Sequence, residues 1–267
     1  MGVGHQRIIR LPSFAIGDSG TGYPFGGDRV TQEQQGQSGP GQPKILEPQL
    51  AAMWTLADVV TAYLCFYGGA AVGGILGYVA TQDKRIAWIL AEFGGALFGL
   101  WSAIRSIRRR DGLARPALGL RRGNLHPMTS VALGIGVAIT YHLVVQVHLF
   151  QSPPAVRPQL SPSVLLLAPL SLDGFPAIVL GPLSEEVLHR GFLYGYLRTA
   201  YGSRYALALQ AALFSLLHAY PLAAAIHAFL VALVLGLLYE RTKSLYPSMV
   251  CHGTVNYLSM FSLFLSR

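Results

Sequence analysis

Glu185, Glu186, His189 and Arg190 fall within one otherwise apolar stretch, Gly181-Pro-Leu-Ser-Glu-Glu-Val-Leu-His-Arg-Gly-Phe-Leu-Tyr194. On a helix Glu186 and Arg190 are i,i+4 neighbours, as are Glu185 and His189. Glu185 and Glu186 then lie roughly 100° apart around the axis and can take different jobs. Arg190 can clamp Glu186 as an ion pair while Glu185 points elsewhere. His218 closes the run Phe214-Ser-Leu-Leu-His, and His252 is followed four residues later by Asn256, each in its own apolar segment. A histidine and an amide on one helix face suit a hydrogen-bonding site. Ionisable groups in lipid cost several kcal/mol unless they face partners or water. Acids, an arginine and histidines together therefore indicate a polar chamber within a bilayer. The plainer alternative is an internal salt bridge that locks helix packing, with Glu185 a bystander.

Such a chamber needs helices to hold it, and composition supplies them. Of 267 residues, 52% are hydrophobic and 12% charged, against roughly 25% charged in soluble domains. Several apolar runs reach about 18–25 residues, enough to cross hydrocarbon. The fold class is all-α, a multi-pass transmembrane bundle. About seven spans are expected, at 54–80, 86–104, 128–150, 175–198, 205–219, 222–240 and 246–265, with a short partial or interfacial segment at 164–172. Residues 1–50, rich in Gly, Pro, Gln and Ser, form a flexible polar tail that buries too little to fold. Residues 51–267 form the membrane domain, and the four-proline stretch 151–163 is a loop. The Gly68-Gly69 and Gly73-Gly74 pairs in the first span permit close helix packing.

The formal net charge is +8, and seven arginines lie between 105 and 122, opposed only by Asp111. This reads as a positive-inside signal, helped by anionic lipid, and not as nucleic-acid binding. It places the 105–122 loop, the N-terminal tail, 198–204 and 241–243 in the cytoplasm. Membrane lipids and a peptide or protein substrate are the expected partners. The two cysteines, Cys65 and Cys251, form no disulfide framework or zinc-ribbon spacing. Cys251 and His252 are adjacent and do not face one another on a helix. The first apolar helix starts too late for a cleavable signal peptide. His227 reads as structural, His142 and His148 as packing or interfacial residues, and Asp58 and Glu92 as helix-contact or cavity residues.

Residues 175–258 resemble the CPBP (ABI) family, which holds type II CAAX prenyl endopeptidases, bacteriocin-processing enzymes and their relatives. The family's three marks read here as Glu185-Glu186-x-x-x-Arg190, Phe214-x-x-x-His218 and His252-x-x-x-Asn256, in order. The flanking Arg190-Gly-Phe-Leu-Tyr and Gly236-Leu-Leu-Tyr-Glu-Arg-Thr are similar too. His189, where many members carry Phe, is a departure. The resemblance implies an intramembrane endopeptidase, with 175–258 as its catalytic region and a substrate that is lipid-modified if the chemistry is of the CAAX type. Glu185 would be the general base, with His218 helping to hold the water. His252 and Asn256 would donate to the oxyanion, and Glu186 with Arg190 would brace the helix. The same resemblance leaves open a metalloprotease, with zinc on Glu185, His218 and His252 and Glu186 as base.

One tension is visible in advance. Counted from the helix ends at about 1.5 Å per residue, Glu185 and His218 lie roughly 20 Å deep and His252 only about 10 Å. If they fail to meet, His227 is the substitute. A non-catalytic immunity or scaffold protein of the same fold is the runner-up. A transporter is a third reading, weakened because no paired halves are seen.

Overall fold

The computed structural model describes residues 54–109, 118–121, 123, 125–146, 171–172 and 174–265, all within the compact unit Ile45–Arg267. The expected tail 1–50, the 151–163 loop, His148, and all of the short 164–172 segment except 171–172 lie outside the described residues. Those described residues hold helices and no strand.

Helix α1 (Leu56–Thr81) begins at a capping box: the Thr55 hydroxyl accepts from the Asp58 amide, and the Asp58 carboxylate accepts from Thr55 at 2.9 Å. Asp58 is thus a cap residue, which corrects its reading as a helix-contact or cavity residue. Asp83 caps α2 (Lys84–Arg108) by accepting from the Arg85 amide at 2.7 Å. The two helices form a tight hairpin. A Cβ on Gly69 would strike the Gly94 carbonyl, so the backbones touch there, as small-residue packing allows.

Helix α3 (Pro127–Tyr141) continues through a π-helical turn, His142–Gln146. The next rod is irregular. A π segment (Pro176–Leu180) leads into α4 (Gly181–Glu186), followed by a second π segment (Val187–Tyr194) and α5 (Gly195–Leu217). Single-turn π geometry often marks functional positions. Gly202 breaks α5 with φ 78° and ψ 167°, a conformation open essentially to glycine alone. This break separates the fourth and fifth expected spans. Helices α6 (Leu222–Thr242) and α7 (Leu245–Leu265) complete the bundle.

Among the described residues, four helices have the length and apolar composition to cross a membrane: Leu56–Thr81, Lys84–Arg108, Pro127–Val144 and Leu222–Thr242. The rods that carry the catalytic candidates lie outside this set. They are helical where spans four, five and seven were expected, but they hold the acids, arginines and amides that lower apolarity.

The arginine-rich loop does more than mark a side. Leu118 is fully buried in the core with Trp54, Phe192 and Leu245. The Leu245 amide donates to the Gly119 carbonyl at 2.9 Å, the Arg121 guanidinium to the Lys243 carbonyl at 2.9 Å, and the Ser244 hydroxyl to the Arg121 carbonyl at 2.7 Å. The start of α7 is therefore covered by protein. At the same end, Glu240 pairs with Arg198 at 3.3 Å and with Lys243 at 2.8 Å. Arg121, Arg198 and Lys243, from three of the four segments expected on one side, thus lie at one end of the bundle, while the N-terminal tail lies outside the described residues.

Candidate active site

Glu186 and Arg190 are both fully buried, and the guanidinium donates to Glu186 Oε1 at 2.9 Å. Its other nitrogen donates to the Ala232 carbonyl at 3.0 Å, and the Gln210 amide donates to that same carbonyl at 3.0 Å. Arg190 also stacks over the Phe214 ring, 5.2 Å from its centroid. One ion pair therefore links the Glu186–Arg190 segment to α5 and α6. Burying such a pair is costly unless its remaining polar groups are satisfied; Ala232 takes one donor, while Arg190 Nε and Glu186 Oε2 have no hydrogen-bond partner among the described residues.

The pair also orients a histidine. His252 Nδ1–H donates to Glu186 Oε1 at 2.9 Å, which turns Nε2 toward Glu185 Oε2 at 3.9 Å. His218 Nδ1–H donates to the Phe214 carbonyl at 2.7 Å, and its Nε2 also lies 3.9 Å from Glu185 Oε2. Phe214 packs against both imidazoles, with centroids 4.5 Å and 5.9 Å away. Glu185 Oε2 is buried and accepts no hydrogen bond from a described protein group. Glu185, His218 and His252 thus converge on one small polar space.

The depth mismatch is resolved by packing. Ser244 and Leu245 are fully buried under residues 118–121, so α7 starts inside the bundle. One turn further on, the Ser248 hydroxyl donates to the Leu235 carbonyl, two turns in from the end of α6. His227 does not substitute: its ring meets the Tyr141 hydroxyl at 3.1 Å, in keeping with the structural reading.

Asn256 is placed differently from the oxyanion donor implied by the resemblance. Its amide donates to the Ala177 carbonyl at 2.8 Å, in the first π segment. This ties α7 to the base of the catalytic rod.

The zinc alternative also meets the geometry. Tetrahedral zinc with bonds of about 2.0–2.1 Å brings its donors to about 3.4 Å from one another. Both imidazole nitrogens stand 3.9 Å from the carboxylate oxygen. Among the described residues no group of three or more His, Cys, Asp or Glu is arranged to hold a metal ion. Glu185, His218 and His252 stand slightly wider than the donors of a closed zinc shell.

Two side chains from the N-terminal hairpin reach this region. The Tyr63 hydroxyl of α1 lies 2.8 Å from His189 Nδ1, and the buried His189 ring packs edge-on to Phe214. Glu92 of α2 faces the catalytic rod near Gly181. The sequence flagged Glu92 as a lone acid in an apolar span, a usable signal. Tyr63 carried no signal, because tyrosine is ordinary in membrane helices.

No curated protein matches the chain, and no solved structure matches it. The family comparison covers all six motif residues and none of α1 to α3. Residues 167–258, about a third of the chain, match the family model described as Type II CAAX prenyl endopeptidase Rce1-like, and this match together with the apolar helices points to an integral membrane protein.

Proposed function

We propose that the chain is an intramembrane endopeptidase that cleaves a peptide bond with a water activated by Glu185. The observation that carries this reading is the convergence of His218 Nε2 and His252 Nε2 on Glu185 Oε2, each at 3.9 Å. A water between these three atoms can give a proton to the carboxylate and be aimed by an imidazole. Attack on the scissile carbonyl forms a tetrahedral oxyanion. The His252 imidazole, held by Glu186, stands beside that oxyanion, where one good N–H donor is typically worth about 3–4 kcal/mol. Glu185 then passes its proton to the leaving amine, and the C–N bond breaks.

The remaining motif residues act by positioning. Arg190 holds Glu186, Glu186 holds His252, and Asn256 holds the Ala177 turn against α7. Mutual geometry of this kind can contribute as much as the acid–base step itself. No step runs through a metal.

The substrate is a peptide or protein. A prenylated CAAX peptide is the first candidate, since the matched family is described by that activity. The basic end of the bundle faces the cytoplasm, in line with the positive-inside rule. The deciding experiment uses the full chain in lipid vesicles with a farnesylated, fluorogenic CAAX peptide. Wild type cleaves the probe and Glu185→Ala does not. Equal rates in both would remove the enzyme reading and favour a scaffold of the same fold.

A further inference from the structure

Phe214 is the surface on which the imidazoles of the site rest. The ring centroids of His218 and His252 lie 4.5 Å and 5.9 Å from its own, and the Arg190 guanidinium lies 5.2 Å from it. Its backbone carbonyl also accepts from His218 Nδ1–H at 2.7 Å. A third imidazole, His189, packs on the same ring at 4.9 Å with an interplanar angle of 68°. His189 is 1% exposed, and the reaction described above gives it no part.

What fixes His189 comes from outside residues 167–258. The Tyr63 hydroxyl of α1 lies 2.8 Å from His189 Nδ1, and the two rings meet edge-on at 5.4 Å and 88°. Tyr63 is half-buried against the core that holds Trp54 and Phe192. Its helix is held on both sides of it, by the Thr55–Asp58 cap and by the backbone approach of Gly69 to Gly94. The second side-chain torsion of histidine or phenylalanine is broad, so packing alone sets the plane of the ring loosely. A hydrogen bond to a ring nitrogen from a separate, anchored helix sets it firmly. An apolar ring at 189 would fill the same space without that constraint.

We propose that Tyr63 and His189 are paired positioning residues of the peptidase site, with Tyr63 fixing the His189 ring and His189 fixing Phe214 beneath His218 and His252. The N-terminal hairpin is then part of the working enzyme and not only a membrane anchor. This role rests on the peptidase reading above, and its test separates the two.

The full chain in lipid vesicles is assayed with the farnesylated CAAX probe as wild type, Tyr63→Phe, His189→Phe and the double variant. Each single variant lowers kcat about tenfold with KM unchanged. The double variant lowers it no further, since both changes break one connection. Stability separates positioning from packing. A single change strands a buried polar partner and lowers the melting temperature, whereas replacing both partners by apolar rings is close to neutral. The double variant therefore melts near wild type and still cleaves about tenfold more slowly. Wild-type kcat in Tyr63→Phe or in the double variant, a loss of about a hundredfold in the double variant, or a change confined to KM overturns the proposal. Histidine ring-nitrogen NMR signals of the same vesicles are read in parallel. Tyr63→Phe shifts the signals of His189, His218 and His252. A shift confined to His189, or no shift, overturns the proposal. If wild type fails to cleave the probe, the peptidase reading falls, and the nitrogen signals still decide whether Tyr63 reaches the two site imidazoles.

Discussion

Glu185 stands apart from its neighbour by what holds it. Glu186 is tied to Arg190 and His252 through one oxygen, whereas Glu185 Oε2 has no protein donor. Two adjacent carboxylates with the same side chain thus become a brace and a base. Glu185→Gln keeps the shape and removes the proton acceptor, so cleavage should fall by about 10²- to 10⁴-fold, with an unchanged melting curve in detergent. Arg190→Met removes one partner of a fully buried pair and leaves Glu186 uncompensated. It should cost about 3–5 kcal/mol, read as a lowered melting temperature and poor recovery from the membrane. A glutamate-activated water needs no metal, so on this reading cleavage should survive treatment with a strong chelator. Loss of activity that returns with added zinc would restore the metal reading.

At the scale of elements, the catalytic rod is the least regular part of the bundle. π segments flank α4 on both sides, and the Ala177 carbonyl in the first is taken up by Asn256. Asn256→Ala strands that carbonyl and should cost about 1–3 kcal/mol. Its effect on kcat would come through movement of the rod. Gly202 is a separate hinge. A Cβ there meets nothing within 4 Å, so Gly202→Ala tests backbone conformation alone. At φ 78° and ψ 167° it should cost about 1–3 kcal/mol, seen as a drop in thermal stability. Neither cap was legible in sequence: Asp83 sits in a short polar turn, and Asp58 reads equally as a buried acid until the helix start at Thr55 is known. Asn256 illustrates a similar limit. Its spacing from His252 placed both on one face, but a side chain four residues along points one turn further, and there the π segment supplies a carbonyl.

For the whole molecule, the covered start of α7 matters most. Residues 118–121 seat α7 within the bundle and let His252 reach the level of Glu185 and His218. The same contacts gather Arg121, Arg198, Glu240 and Lys243 at one end. If that end faces the cytoplasm, Arg241→Cys should react with an impermeant maleimide from the cytoplasmic side and Lys84→Cys from the opposite side. The comparison is made in a chain with Cys65→Ser and Cys251→Ala. Labelling of both positions from one side would overturn the orientation.

The helical class, the apolar segments and the six motif residues were readable from sequence, because burial in hydrocarbon and i,i+4 spacing are local properties of a chain. The boundaries of most helices followed for the same reason. Which of those residues meet was not readable. Linear depth set His252 about 10 Å from Glu185, and only packing of a loop some 120 positions earlier removed the gap. The contributions of Tyr63 and Glu92 were hidden likewise, since contacts between distant helices are decided by close backbone approach at small residues and not by any pattern along one helix.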